Sequence, residues 1–154
     1  MTVRRQRAAA RLASVQALYQ MEVTGKGLNE ILAEFEAFWI GGEIEGVQYE
    51  EADVDLFRDI VQGVLKDQRA IDQAADKVLQ EGWPLRRIEA VLRAVLRAGV
   101  YELKSRADVP ARVIITEYVD VAAAFLADNE VGMTNAVLDR LARQLRADEF
   151  LTRA

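Results

Sequence analysis

Residues 85–103, LRRIEAVLRAVLRAGVYEL, decide how the rest of the chain is to be read. Ile88, Val91, Leu92, Val95, Leu96, Val100 and Leu103 recur at three- and four-residue spacing, which places them on one unbroken apolar stripe of an α-helix. A strand alternates with period two and cannot hold that pattern. On the side away from the stripe, Arg86, Arg93, Arg97 and Lys104 fall within about 40° of one another at about 100° per residue. Glu89 and Glu102 flank them.

The same periodicity extends in both directions. Gly82, Trp83 and Pro84 end the preceding run, in which Val54, Phe57, Ile60, Val61, Val64, Ile71, Ala75 and Val78 keep helical spacing. That spacing predicts two helices over 52–79, broken near Lys66 to Arg69. Upstream, Ala8, Leu12, Val15, Tyr19 and Val23 predict a helix over 4–23, stopped by Gly25 and Gly27. A second helix is expected over 28–39, burying Ile31, Leu32, Phe35 and Phe38. Gly41 to Glu51, with three glycines and four acids, reads as a loop. Downstream, Asp108 is expected at a cap and Pro110 near the first turn of a helix carrying Val113, Ile114, Val119, Val121 and Phe125. A last helix holds Met133, Val137, Leu138, Leu141 and Leu145. No segment shows sustained strand alternation. The expected fold is all-α, a helical bundle of about seven helices. It forms one domain over 1–154, made of two packed sub-bundles, approximately 1–81 and 82–154.

Composition limits the chemistry. With 154 residues, 51% apolar and 29% charged, the chain buries a core without staples. It contains no cysteine and no histidine. Disulfides, thiolate nucleophiles, the usual zinc sites and a histidine general base are therefore excluded. Thr24-Gly25-Lys26-Gly27 lacks the glycine and hydroxyl of a phosphate loop. Neither a catalytic group nor a cofactor or metal site is expected. The arginine-rich start has no apolar h-region, and no apolar stretch reaches about 18 residues, so a cytoplasmic location without membrane contact is expected.

Net charge is −5, unevenly spread. Residues 1–20 hold Arg4, Arg5, Arg7 and Arg11 and no acid, whereas 22–59 hold eleven acids against Lys26 and Arg58. Residues 85–106 swing back, with six bases against Glu89 and Glu102. Arg4, Arg7 and Arg11 lie within about 60° of one another on the first helix, with Arg5 to one side. Guanidinium forks of this kind suit phosphate oxygens. Two basic helices that adjoin would form one phosphate track; the alternative for either stripe is a solvated helix face. Trp39, Tyr49 and Trp83, at helix ends or in loops, are candidate contact surfaces. Asn135 reads as a cap or a satisfied amide.

Several segments, taken in order, resemble the NusB family of transcription antitermination proteins over nearly the whole chain. They are Arg4-Arg5-Gln6-Arg7 with Arg11, Val15-Gln16-Ala17-Leu18-Tyr19, Phe57 with Gly63-Val64, Leu96 to Leu103 followed by Asp108-Val109-Pro110, Glu117 to Ala122 with Phe125, and Asn135 to Asp139. The chain departs from the family pattern at Thr116, where asparagine is common, at Met133, where phenylalanine is common, and near Ala123 and Gly132, where basic residues are often found.

The resemblance implies an adaptor without catalytic activity that binds boxA-type single-stranded RNA together with the ribosomal protein NusE, within a complex that keeps RNA polymerase from terminating. It implies RNA contacts by Arg7 and Arg11, with Arg4, Arg5 and Gln16 nearby. Arg93 and Arg97 are then expected on the RNA surface, and Tyr101 and Glu102 on the partner surface. Two alternatives are a helical interaction protein forming a homodimer and a module related to the N-terminal domain of ribosomal RNA cytosine methyltransferases. A catalytic domain of the latter kind requires a cysteine that this chain lacks.

Overall fold

The computed structural model describes residues 2–39, 43–44, 47–48, 52–79 and 88–151. Six α-helices occur among them: α1 (Val3–Thr24), α2 (Leu28–Glu34), α3 (Val54–Val78), α4 (Ala90–Ser105), α5 (Ala111–Phe125) and α6 (Asp128–Leu145). A π-helical turn, Phe35–Trp39, prolongs α2, and a 3-10 turn, Ala147–Phe150, follows α6. Two-residue strands, Glu43–Ile44 and Val47–Gln48, pair antiparallel inside the segment expected to be loop. The Gly82–Pro84 stop, Tyr49, Trp83, Arg86 and the side chain of Trp39 lie outside the described residues.

Local chemistry sets the helix ends. The Thr2 hydroxyl accepts the Arg5 N–H at 3.2 Å and opens α1. Gly25 closes it at φ 77°, a left-handed conformation that favours glycine, and its N–H donates to the Met21 carbonyl. The Asp53 carboxylate caps α3 through the Leu56 N–H at 3.0 Å. The break expected near Lys66 to Arg69 is a single residue, Asp67, at φ −113° and ψ 16°. Two helical segments meet across a kink there, as the spacing predicts, and Val64 and Ile71 on either side remain in the same core.

Asp108 does not cap α5. It pairs with Arg106 at 3.3 Å, and the Ala111 N–H is taken by Glu149 at 2.9 Å. That amide, with Arg146, holds the Glu149 carboxyl below the usual carboxylate range. Arg146 donates to the carbonyls of Glu102, Leu103, Arg106 and Val109, closing the C-terminal end of α4 that no glycine terminates. Helix α6 begins at Asp128, ahead of Met133, so Asn135 is an exposed mid-helix residue and not a cap.

Helix α4 is the axis of the molecule and packs against α1, α3, α5 and α6. Its buried side includes Leu92, Val95, Leu96, Val100 and Leu103, and one continuous apolar core joins it to every other helix. Where α3 crosses α4, Tyr101 lies flat over Gly63: a Cβ there would sit 2.1 Å from the Tyr101 ring. The Tyr101 hydroxyl donates to Asp59 at 2.7 Å. Burial and that carboxylate push its pKa up to about 12.

One cluster in this core is ionic. The Arg11 guanidinium donates to both oxygens of Glu102, at 2.8 and 2.9 Å, with the two side chains 2% and 0% exposed. The buried Tyr118 hydroxyl donates to the same carboxylate, and Glu117 stands 3.8 Å from Arg11. Burial alone would lower the Arg11 pKa, but Glu102 outweighs it through hydrogen bonds and charge and raises it. Burial, then the Glu102 charge, pushes the Tyr118 hydroxyl well above its usual value. Three helices, α1, α4 and α5, thus meet on one carboxylate.

Three outcomes follow. Gly63→Ala forces Tyr101 off its seat and costs about 1–3 kcal/mol in urea unfolding, as overpacking does. Arg11→Met alone leaves Glu102 buried and uncompensated, a loss of about 3–5 kcal/mol on the same measurement. A tyrosine with a raised folded-state pKa stabilises the fold below the unfolded value of about 10. That contribution disappears as pH rises from about 10 through the raised values, so stability falls in that window, and falls less in Tyr101→Phe.

Candidate nucleic-acid interface

The first turns of α1 carry what cationic surface the expected residues provide. Arg4 and Arg5 are exposed, ahead of the point where the helix enters the core at Ala10. Arg7 is 35% exposed, with Nε 4.0 Å from the Asp53 carboxylate and no hydrogen-bond partner on that nitrogen. The Asp53 N–H donates to the Gln6 carbonyl, which ties this end of α1 to the start of α3. These three guanidiniums sit within two turns, and no acid of α1 itself lies among them.

The other expected contacts are arranged differently. Arg11 is turned inward onto Glu102, so it offers nothing to a phosphate. The second stripe is discharged by acids from other helices. Arg93 pairs with Glu22, and one of its nitrogens donates to the Ile88 carbonyl at 2.8 Å. Arg97 forms a two-pronged pair with Asp72 at 2.8 and 2.9 Å, with Glu22 at 3.8 Å. Lys104 pairs with Asp67 at 2.9 Å. Arg93 and Arg97 are only 12% and 15% exposed. The two stripes therefore do not merge into one phosphate track among the described residues; that expectation is corrected.

Tyr101 and Glu102 do not form a partner surface either. The ring is buried over Gly63 and the carboxylate is at the centre of the ionic cluster. The sequence reading missed Glu22, Asp67 and Asp72 as counterions. Glu22 belongs to the acid-rich stretch over 22–59, which was a signal; Asp67 and Asp72 lie in a charge-balanced segment that gave none.

Gln16 faces a different feature. With Val15, Tyr19, Gln20, Phe35, Val91 and Phe125 it lines an open apolar groove of about 310 Å³ between α1, α4 and the end of α5. Tyr19 and Phe125 are 36% and 43% exposed at its rim. No group of acids among the described residues is arranged to hold a metal ion, and none of their helices is long and apolar enough to cross a membrane.

Comparison with known proteins agrees with this architecture. The family model described as "NusB family" matches residues 8–143. The Transcription antitermination protein NusB of Bradyrhizobium sp. strain BTAi1 is 62% identical over 94% of this chain and 85% of its own length. That of Rhodopseudomonas palustris strain TIE-1 is 61% identical over 94% and 83%. Among solved structures, T. maritima NusB superposes with a TM-score of 0.76 at 28% identity, covering 97% of each chain. A crystal structure of antitermination factors NusB and NusE in complex with double-stranded RNA shares the fold, with a TM-score of 0.73 at 23% identity, covering 94% of this chain and 99% of that one. The helical bundle, the arginine-rich entry to α1 and these matches have one meaning: the chain belongs to the NusB family.

Proposed function

We propose that this protein is a transcription antitermination factor that binds boxA-type single-stranded RNA together with the ribosomal protein NusE. In this reading it promotes ribosomal RNA transcription within the RNA polymerase antitermination complex, in the cytoplasm, by binding and without catalysis. The observation that carries the reading is family membership over residues 8–143 at about 60% identity to antitermination proteins. The protein works as one binding domain over 1–154, its sub-bundles of about 1–81 and 82–154 sharing the core around α4.

Division of labour on the surface follows from charge. Arg4, Arg5 and Arg7 at the α1 entry are the residues we assign to RNA phosphates, since Arg4 and Arg5 are exposed and Arg7 is 35% exposed, against 12% and 15% for Arg93 and Arg97 and 2% for Arg11. An exposed arginine near a phosphate gains a charge-assisted hydrogen bond and releases counterions, whereas a largely covered guanidinium forked onto Asp72 must first give that up. The Gln16–Tyr19 groove suits a protein partner, because its apolar walls and rim aromatics gain from being covered and its few polar groups give little to an anion.

The test is a salt titration of binding to boxA-type RNA with the ribosomal partner present. Three phosphate contacts at about −0.7 each give a slope of log affinity against log salt near −2. Arg4→Gln with Arg7→Gln shifts it by about 1.4 toward zero. Affinity indifferent to salt and to that double substitution overturns the reading, and preference for duplex over single-stranded RNA overturns its single-strand part. Sedimentation without RNA or partner measures self-association through the same groove.

A further inference from the structure

Between Val3 and Ser14 the only fully buried side chain larger than serine is Arg11. The rest of the buried face of this half of α1 is Ala10, Ala13 and Ser14, with Leu12 partly covered. Small side chains make shallow knobs, which leave a helix poorly determined in rotation about its axis and in register along its neighbours. A two-pronged guanidinium–carboxylate pair behaves in the opposite way, because it demands a fixed plane, direction and distance. Here the carboxylate is itself held: Glu102 belongs to the central helix and accepts the Tyr118 hydroxyl from α5. Two weaker restraints act at this end, the Asp53 N–H on the Gln6 carbonyl and the Arg7 Nε 4.0 Å from the Asp53 carboxylate, and larger apolar knobs begin only at Val15 and Leu18.

Arg7 and Arg4 lie on the same face of α1 as Arg11, about one and two turns nearer its start and within about 60° of it. The direction in which Arg11 is held is therefore the direction in which they are presented. We infer that Arg11 is a positioning residue for nucleic-acid binding: through Glu102 and Tyr118 it fixes the rotation of α1, and so aims Arg4 and Arg7, without touching RNA itself. This rests on the proposed RNA reading and adds to it a role for a buried cluster that stability alone does not require. Buried ion pairs replaced whole by apolar residues of similar volume often leave a protein as stable as before.

The experiment separates aim from stability. Arg11→Met, Glu102→Leu and Tyr118→Phe together remove every polar member that meets on the Glu102 carboxylate. We expect melting at or above the parent temperature, with affinity for boxA-type RNA about tenfold weaker and the salt slope about 0.7–1.4 closer to zero. A folded triple variant with the affinity and slope of the parent overturns the inference. In the parent background, Arg4→Gln with Arg7→Gln reports on the reading beneath it. If that pair changes binding and the triple variant does not, the RNA assignment stands and the positioning role falls. If the pair changes nothing, both fall. Should the triple variant not fold, Tyr118→Phe alone loosens Glu102 and leaves the ion pair. We expect a measurable loss of affinity and slope, whereas lower melting with both unchanged overturns the inference as well.

Discussion

The structure depends on a full positive charge buried at the junction of three helices. Arg11 cannot be neutralised at any ordinary pH, so its place in the core obliges the protein to supply a carboxylate at the same depth and to saturate that carboxylate in turn. Glu102 meets the first demand and Tyr118 the second. Each partner comes from a different helix, so α1, α4 and α5 are consistent with one another in only one mutual arrangement. The apolar core around them supplies most of the driving force for folding, but it is tolerant of small slips where its side chains are alanines.

A second constraint is the distribution of acid. Glu22, Asp67 and Asp72 are placed opposite Arg97 and its neighbours, and they convert an arginine-rich helix into an electrically quiet seam between α1, α3 and α4. The net charge of −5 is thus partly structural in origin, since acids were needed to pack a basic helix at the centre. What cationic surface the expected residues leave is narrow and lies at the entry to α1. A small patch on an acidic body exerts only short-ranged, salt-sensitive attraction on an anion.

Helices were legible because periodicity is local: the stripe from Ile88 to Leu103 and the stop at Gly25 are properties of short windows. The break near Asp67 was visible too: the kink between two helical segments falls inside the expected window, and Val64 and Ile71 keep both segments on one core. The fate of individual arginines was hidden. Arg11 is in helical phase with Arg4 and Arg7, but also with Ser14 and Leu18, and the inward alternative is decided by Glu102, a partner 91 residues away. The same holds for Arg97 and Asp72. A wheel drawn for one helix records which side chains share a face, not whether that face meets water or another helix. Arg146 and Glu149 left still less trace, since they act on the ends of helices far earlier in the chain.

Those two residues have a consequence for the order in which the protein is made. The first amide of α5 and several carbonyls at the end of α4 take side-chain partners from residues 146 and 149, beyond the local backbone bonds of the turn. On a ribosome, the central helix is synthesised long before the side chain that closes it. Until that later segment emerges, the turn between α4 and α5 has its local backbone bonds and the pairs of Arg106 with Asp59 and Asp108, but not the Arg146 fork or the Glu149 carboxylate. The last contacts of this turn are therefore available only once residues 146 to 149 have been made.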